Sequence, residues 1–560
     1  MNKDLIYALA LENATKFNGK ASHSAVMGML LAMNPDAKNH IKEVSKIIAD
    51  ILKDVNSMTL EKQEEKFSKL NNIIHHEEKK ERVGLPELAN TENGVVVRFA
   101  PYPSGPLHIG NAKQLILNDE YAKMYQGKFI LVFDDTIGSE EKNISEEAYD
   151  LIKESVDWMD VKINEIYYKS DRLEIYYKYA QEMIKENKTY VCKCSSTDLR
   201  SNRENSLECV HRNQSIEENL KLWNDMINKK LKVGEAVLRI KTSMANPNPA
   251  FRDRVLFRIT DRKHPRTKLK YTVWPLLEFS WAIDDHLFGM THIIRGKDLM
   301  IESDMEKFIW DIFSWKHPEL IHTGMAQIEG IKLSKSKSKQ EVISGKYSGW
   351  DDPRTWSLQS LKRRGFRKEA IRKFLLKSGL SRNDVHVPIE DLYSENRDLI
   401  DKDASRYFFV QEPKLITIDN FKGKKVQLDL HPDNPEKGKR SFKVTNKFYI
   451  NRSDFDSLKD NSIYRLMDCL NFTKSKDKFI FHSEDYESFK GKGIKIMHWL
   501  PKEEVIKSSV VLEDASIVHG LLEKNASKLK IDEICQFERT FFAKLDKKSK
   551  DNYVFYFTHK

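Results

Sequence analysis

The run Val95-Val96-Val97, opened by Gly94 and followed at once by a loop rich in proline and glycine, constrains this chain more than any other stretch. Three β-branched residues in succession, without polar alternation, read as a strand buried on both faces of a parallel sheet. Pro101, Pro103, Gly105 and Pro106 then end the strand in a rigid loop. A helical pattern runs from His108 through Tyr125, and Phe129-Ile130-Leu131-Val132-Phe133 is a second apolar strand ending in Asp134-Asp135. Strand, loop, helix and strand within about forty residues make a βαβ unit. A ligand site is expected beyond the carboxyl ends of its strands.

The chain is 560 residues long, more than one hydrophobic core usually spans, so three to five units are expected. Residues 1–90 carry apolar positions at spacings of three and four, such as Ile47, Ile48, Ile51, Leu52 and Val55, and read as a helical domain. The charge run His75 to Arg82, before Gly84 and Pro86, reads as a linker. Residues 91–190 form the first half of an α/β domain, 191–270 an insertion of mixed composition, and 271–345 the second half, where strand texture returns at His292-Ile293-Ile294 before Arg295. Residues 346–412 are helical and basic, with seven Lys or Arg between Lys362 and Lys373. Residues 413–560 shift to short strands (Lys425 to Leu430, Phe442 to Val444, Lys478 to Phe481, Lys495 to Leu500) between turn residues, the texture of β-barrels.

Lys and Arg number 94 against 84 Asp and Glu, a net charge of +10 that suits a polyanionic partner without requiring one. The longest apolar stretch, Ala25 to Met33, is far short of the roughly 20 residues that cross a bilayer. No membrane span is expected, no secretory signal opens the sequence, and the cytoplasm is the expected compartment. Of the five cysteines, three cluster: Cys192-x-Cys194 and Cys209-x-His211 supply four soft ligands in two pairs, as a closed tetrahedral zinc site needs. Three reduced thiols that happen to cluster are the alternative. Cys469 and Cys535 stand alone.

Two elements point to nucleotide chemistry. The loop Arg98-Phe-Ala-Pro-Tyr-Pro-Ser-Gly-Pro-Leu-His-Ile-Gly-Asn111 joins a strand to a helix start, where unpaired N–H groups and a partial positive charge receive phosphate. On its own, such a loop is more often a turn. Gly330-Ile-Lys-Leu-Ser-Lys-Ser-Lys-Ser-Lys339 places four lysines among serines, a cationic loop that could follow the charge of a departing pyrophosphate. On its own it is more often a solvated surface run.

Together and in this order, the two resemble the signatures of class I aminoacyl-tRNA synthetases, His108-Ile-Gly-Asn111 and Lys332-Leu-Ser-Lys-Ser336. The resemblance extends to the archaeal-type glutamyl-tRNA synthetase family. Its blocks are matched by Arg98-Phe-Ala-Pro, Phe133-Asp-Asp-Thr136, Asp284-Asp-His-Leu-Phe-Gly-Met-Thr-His-Ile-Ile-Arg-Gly-Lys297, Gly349-Trp-Asp-Asp-Pro-Arg-Thr355 and Asp403-Ala-Ser-Arg-Tyr407. His431-Pro-Asp, Arg465-Leu-Met-Asp468 and His498-Trp499 continue it toward the carboxyl end. Two departures stand out, Val132 where relatives generally carry Arg and Ile137 where Asn or Asp is common.

The resemblance implies a Rossmann-like class I catalytic domain with an acceptor-binding insertion, helical amino-terminal and stem-contact regions, and two carboxyl-terminal β-barrels. It implies ATP with Mg2+, L-glutamate and tRNA(Glu) as ligands, with tRNA(Gln) open as a second acceptor and a monomer expected. His108, Lys332 and Lys335 would act on the phosphates, with Gly110, Asn111 and Ser334 completing the ATP site. Arg98, Asp134, Tyr271 and Arg295 would hold glutamate, Arg295 discriminating against glutamine. Cys192, Cys194, Cys209 and His211 would hold structural zinc. The basic helices and barrels would face tRNA, with Arg465 and Trp499 as candidate base contacts. A glutaminyl-tRNA synthetase, a non-catalytic tRNA-binding paralogue and a small-molecule nucleotidyltransferase are the alternatives.

Overall fold

A computed structural model describes the chain apart from residues 1–2, 18, 35–36, 38–39, 71–72, 75–83, 141–142, 332–334 and 551, and apart from the side chains at 32, 335 and 336. The expected linker, His75 to Arg82, thus lies outside the described residues. The chain divides into two compact units, Met1–Leu85 and Pro86–Lys560.

The amino-terminal unit packs four helices, Lys3–Lys16, His23–Met33, Ile41–Val55 and Leu60–Leu70. Val44, Ile48, Leu52 and Val55 recur every three or four residues, so one face of the third helix is apolar and buried. The first helix is buried nearly all round: Ile6, Leu9 and Leu11 alternate with Ala8, Ala10 and Ala14, whose small side chains let neighbours approach. Buried Gln63 donates from Nε2 to the Gly19 carbonyl at 3.0 Å and to the Val55 carbonyl at 2.8 Å, satisfying an acceptor at the end of the third helix.

The second unit is built around a parallel sheet. Val96–Phe99 pairs with Lys128–Phe133, with Val97 opposite Phe129, and that strand pairs with Glu165–Tyr168, with Ile130 opposite Glu165. A second parallel pair joins His292–Gly296 to Glu319–Thr323. The halves meet where the Thr291 N–H donates to the Val96 carbonyl at 3.1 Å and the Val96 N–H to Thr291 Oγ1 at 2.8 Å. Each half winds outward from this seam, so the strand order reverses there, where an open parallel sheet has its ligand crevice. Helix Ile109–Met124 locks the seam with a polar stripe. Lys113 donates to the Gly324 carbonyl at 2.9 Å, Gln114 to Thr323 Oγ1 at 2.7 Å and Asn118 to the Ile294 carbonyl at 3.2 Å.

Between the halves lies a four-stranded antiparallel sheet, ordered Thr189–Cys192, Val237–Ile240, Val255–Ile259, Val273–Pro275. Beyond the second half come helices Leu358–Arg364, Lys368–Leu376 and Ile389–Ile400, then two seven-stranded barrel-like sheets. The expected strand from Lys495 to Leu500 is interrupted: Gly493–Met497 and Leu500–Pro501 belong to the strands, but His498 and Trp499 do not. Trp499 is instead core, its indole N–H donating to the Met467 carbonyl at 2.8 Å among Phe408, Phe442 and Phe448. Arg465 is buried too, donating to Asn471 Oδ1 at 2.9 Å and to the Glu484 carbonyl at 3.1 Å, so neither side chain is presented to a base.

The basic run lies on two helices. Gly365, at φ +95°, separates its two helices, and a Cβ there would lie 3.0 Å from Thr558 Oγ1. Arg363 forks onto Asp546 at 2.8 and 2.9 Å, buried Arg364 donates to the Thr558 carbonyl at 3.0 Å, and Arg372 reaches Asp119 and Glu120. Lys362, Lys368 and Lys373 pair with Glu154, Asp160 and Glu395. Arg363, Arg364 and Arg372 therefore fasten the helices to the barrel-like sheet and to helix Ile109–Met124, while the three lysines pair at the surface.

His559 closes the same junction, its Nε2 3.0 Å from Asn396 Nδ2 and its ring stacked on Tyr393. Burial pushes its imidazole down to about 4, with nearby Arg397 and Arg364 adding to the effect. A folded value below the unfolded one near 6.5 means the unfolded chain takes up the proton first, so stability is lost as pH falls from about 6.5 toward 4. His559→Gln should flatten the fall in Tm between pH 7 and pH 5, by an amount worth about 1–2 kcal/mol. Thermal melts of both proteins at the two pH values check this.

Candidate active site

Three of the residues expected to hold an amino acid sit at the carboxyl ends of neighbouring parallel strands. Arg98 is in Val96–Phe99, Asp134 follows Lys128–Phe133, and Arg295 is in His292–Gly296. All three are nearly buried. Arg98 forks onto Asp285, Nη2 donating to Oδ2 at 2.8 Å and Nε to Oδ1, and its guanidinium lies 3.5 Å from the centroid of the Trp281 ring. Arg295 forks onto Glu306, Nη1 donating at 3.0 Å and Nη2 at 2.7 Å, while Nη2 also donates to Ser303 Oγ. The Asp134 carboxylate lies 3.0 Å from Lys169 Nζ. Each group with the charge to bind an amino acid is thus already matched by an internal counter-ion. A bidentate grip on a substrate carboxylate through Nη1 and Nη2 of Arg295 is closed off by Glu306, and its Nε is buried without a partner. Tyr271 joins the apolar cluster that contains Trp281, edge-on to Tyr177 at 6.0 Å and Trp274 at 6.4 Å.

The adjacent acid, Asp135, has a different task. It accepts from the Ser170 N–H at 2.8 Å, the Ser170 hydroxyl at 2.7 Å and the Tyr149 hydroxyl at 3.0 Å. Burial pushes its carboxyl up to about 6, against the pull of those bonds. Asp135 anchors the loop and Asp134 faces the charged cluster. Val132 and Ile137, which flank these acids, share one apolar cluster with Trp274 and Trp281 and offer the loop no polar side chain of their own. The loop is held instead by Arg262, which donates to Asn143 Oδ1 at 3.1 Å and to the carbonyls of Ile137 and Ser139.

His108 caps helix Ile109–Met124. Its Nδ1 accepts from the Asn111 N–H at 3.3 Å, which leaves the ring proton on Nε2. Trp350 folds over the same loop: a Cβ on Gly105 would lie 2.9 Å from its ring, so only glycine permits this approach. The Trp350 indole N–H donates to Glu147 Oε1 at 2.7 Å. The Ile109 N–H donates to the Trp356 carbonyl at 3.1 Å and the Leu358 N–H to the Leu107 carbonyl at 2.9 Å, so the segment directly after the 349–355 block braces the first signature. Gly110 and Asn111 occupy the first turn of the helix, the position where backbone N–H groups meet phosphate. Lys332 and Ser334 lie outside the described residues, and Lys335 begins helix Lys335–Ile343.

Cys192, Cys194, Cys209 and His211 bring their ligand atoms within 4.8 Å of one another. The Sγ–Sγ distances are 3.4 Å (Cys192 to Cys209) and 3.3 Å (Cys194 to Cys209), and His211 Nδ1 stands 3.2 to 3.8 Å from the three sulfurs. A tetrahedral zinc with bonds of about 2.3 Å to sulfur and about 2.0 Å to nitrogen needs S–S and S–N edges of about 3.5–3.8 Å, so the set fits. Buried Asp253 braces it from behind, accepting from the Tyr190 hydroxyl at 2.9 Å, Arg212 Nε at 2.9 Å and the Thr242 N–H at 2.8 Å.

Sequence reasoning missed Lys169, Glu306 and Trp281. Lys169 had a readable signal, since it directly follows the strand Glu165–Tyr168 as Asp134 follows its own. Glu306 had none, lying inside the amphipathic helix Met300–Ile312.

Residues 94–402 match the family described as tRNA synthetases class I (E and Q), catalytic domain, and residues 404–480 its anti-codon binding domain. The glutamate–tRNA ligase of Methanocaldococcus jannaschii is 41% identical over the whole of both chains. That of Pyrococcus furiosus is 42% identical over 98% of each chain, and that of Methanobrevibacter smithii 39% identical over 100% of this chain and 99% of its own. A seam-centred parallel sheet with its charged side chains at the strand ends, joined to these full-length likenesses, places the chain in the class I tRNA synthetase family of the glutamate and glutamine type.

Proposed function

We propose that this chain ligates L-glutamate to tRNA(Glu), first joining glutamate to AMP and then passing it to the terminal adenosine of the tRNA. The observation that carries the reading is identity of about 40%, end to end, with chains named glutamate–tRNA ligase. In the first step a glutamate α-carboxylate oxygen bonds to the α-phosphorus of ATP as the bond to pyrophosphate breaks. Such transfers depend on positioning and on stabilising spread phosphate charge, so no protein nucleophile is needed. Mg2+, when bound with the triphosphate, neutralises the departing charge.

Within that reading His108 donates from Nε2 to a phosphate oxygen, while Gly110 and Asn111, in the first turn, line the phosphate site at the positive end of their helix. Lys332, Ser334 and Lys335 supply mobile cationic and hydrogen-bonding contacts to the triphosphate. Asp134 receives the substrate ammonium, and Arg98, Tyr271 and Arg295 define the carboxylate ends. Arg295 acts there through its charge and its Nε–H. Cys192, Cys194, Cys209 and His211 would hold zinc, which would cross-link and so fasten the start of the insertion. The elements from 346 onward, with the barrel-like sheets, bind the tRNA stem and anticodon, and the enzyme works in the cytoplasm as a monomer.

The test is aminoacylation of separate glutamate and glutamine tRNA transcripts with each amino acid. Glutamate should be joined to tRNA(Glu), and charging with glutamine alone would overturn the proposal. The same assay shows whether tRNA(Gln) is a second acceptor. For the metal, elemental analysis should find about one zinc per chain, falling to background in Cys192→Ser/Cys209→Ser. That variant should also melt at a lower temperature.

A further inference from the structure

Lys169 is wholly buried, yet no step of the reaction uses it. Its ammonium lies 3.0 Å from Asp134 Oδ1, donates to Ser280 Oγ at 2.7 Å and rests 3.4 Å from the centroid of the Trp281 ring. The Arg98 guanidinium lies against that ring as well, at 3.5 Å. One indole therefore spaces the ammonium that touches Asp134 from the guanidinium held by Asp285. We propose that Lys169 is a positioning residue for the amino-acid site, orienting the carboxylate of Asp134 toward the substrate ammonium and setting, through Trp281, its spacing from Arg98. The proposal rests on the assignment of Asp134 to the ammonium.

Two physical points support it. A buried ammonium is costly unless paired and hydrogen-bonded, and well-packed apolar residues often replace a whole buried ion pair without loss, so the retention of this pair beside an assigned substrate group needs a reason. The surrounding charges also balance. Lys169, Arg98 and Arg172 face Asp134, Asp284 and Asp285, with the Tyr176 hydroxyl donating to Asp284. Burial pulls the Lys169 ammonium below the ordinary lysine value, while Asp134 and Asp284 draw it back up and Arg98 opposes them. Removing this one cation leaves a surplus buried carboxylate, which takes up a proton more readily than an exposed one.

The test is steady-state aminoacylation by the full chain carrying Lys169→Met, Lys169→Gln, Ser280→Ala or Asp134→Asn. Lys169→Met fills the same space without donor or charge. It should raise the glutamate KM by about tenfold or more, the scale of a lost charged hydrogen bond, and leave the ATP KM within about twofold. The glutamate KM of this variant should rise further between pH 8 and pH 6, while that of the unaltered enzyme changes little. Lys169→Gln, which returns a donor without a charge, should recover part of the loss. Ser280→Ala removes only the second anchor of Lys169 and should raise the glutamate KM by about two- to threefold with kcat unchanged. An unchanged or lowered glutamate KM in Lys169→Met, or glutamate and ATP KM values raised alike, overturns the proposal. If Lys169→Met does not fold, an unchanged glutamate KM in Ser280→Ala overturns it. Asp134→Asn separates the two levels. If it too leaves the glutamate KM unchanged, the assignment of Asp134 fails and the proposal falls with it; if it alone raises that KM, only the role of Lys169 is refuted.

Discussion

Lys335→Ala should slow glutamate-dependent ATP–pyrophosphate exchange, measured with tRNA present, by about 10²–10³-fold, the cost of removing one positioned donor to a charged transition state. Affinity for tRNA should change little. The expectation has a basis in the local structure as well as in the motif. Lys335 and Lys337 open helix Lys335–Ile343, whose first turn holds no acidic residue. Cations at the positive end of a helix dipole are unfavourable, and an arriving polyphosphate reverses the sign of that interaction. Such a segment is better suited to meeting an anion than to resting on the surface. An equal loss of tRNA affinity would make the loop a general polyanion patch.

Arg295→Cys should raise the glutamate KM by about 10–100-fold, with the ATP KM nearly unchanged. Unaltered glutamate kinetics would remove Arg295 from the amino-acid site. The structure adds a second consequence. Glu306 has no exposure and receives two hydrogen bonds from Arg295, so the single variant leaves a carboxylate buried without its cation. Breaking a buried pair from one side typically costs about 3–5 kcal/mol. Burial already pushes Glu306 upward, against the pull of Arg295, and without that pull it should become protonated. Arg295→Cys should therefore melt well below the unaltered chain, and Arg295→Cys/Glu306→Gln should recover most of the melting temperature without recovering glutamate affinity. Scanning fluorimetry and aminoacylation kinetics on both variants separate the stability effect from the binding effect.

Much of the catalytic fold was legible in the sequence because its signals are local. The parallel strands are short apolar runs, the first signature is a loop stiffened by proline, and the helix after it begins at a residue able to cap it. The Cys192, Cys194, Cys209 and His211 cluster was legible for the same reason, since two tight pairs of soft ligands need only a return loop to meet. Counter-ion choice was not legible. Nothing near Arg295 in the sequence marks Glu306 as its partner, because the pairing depends on which face of helix Met300–Ile312 turns to the sheet. The acids that meet the basic run from Lys362 to Lys373 were not legible for a related reason. Charge density is a property of the sequence, whereas solvent exposure depends on the acids that other elements bring to it, here Asp119, Glu154, Asp351 and Asp546. Trp499 was ambiguous until packing placed it among three phenylalanines.

By itself, then, the sequence determined the family, the order of the elements and the identities of the groups that carry charge, since each is written in short runs whose chemistry does not depend on distant residues. Only the tertiary structure decided how those charges are shared. Arg98 and Arg295 lie on, and Asp134 directly after, three different strands, and folding brings each of them a buried partner before any ligand arrives. The physical reason is desolvation: a charge taken out of water must find its opposite within a few ångströms, and which residue stands at that distance is a property of the packed sheet and helices.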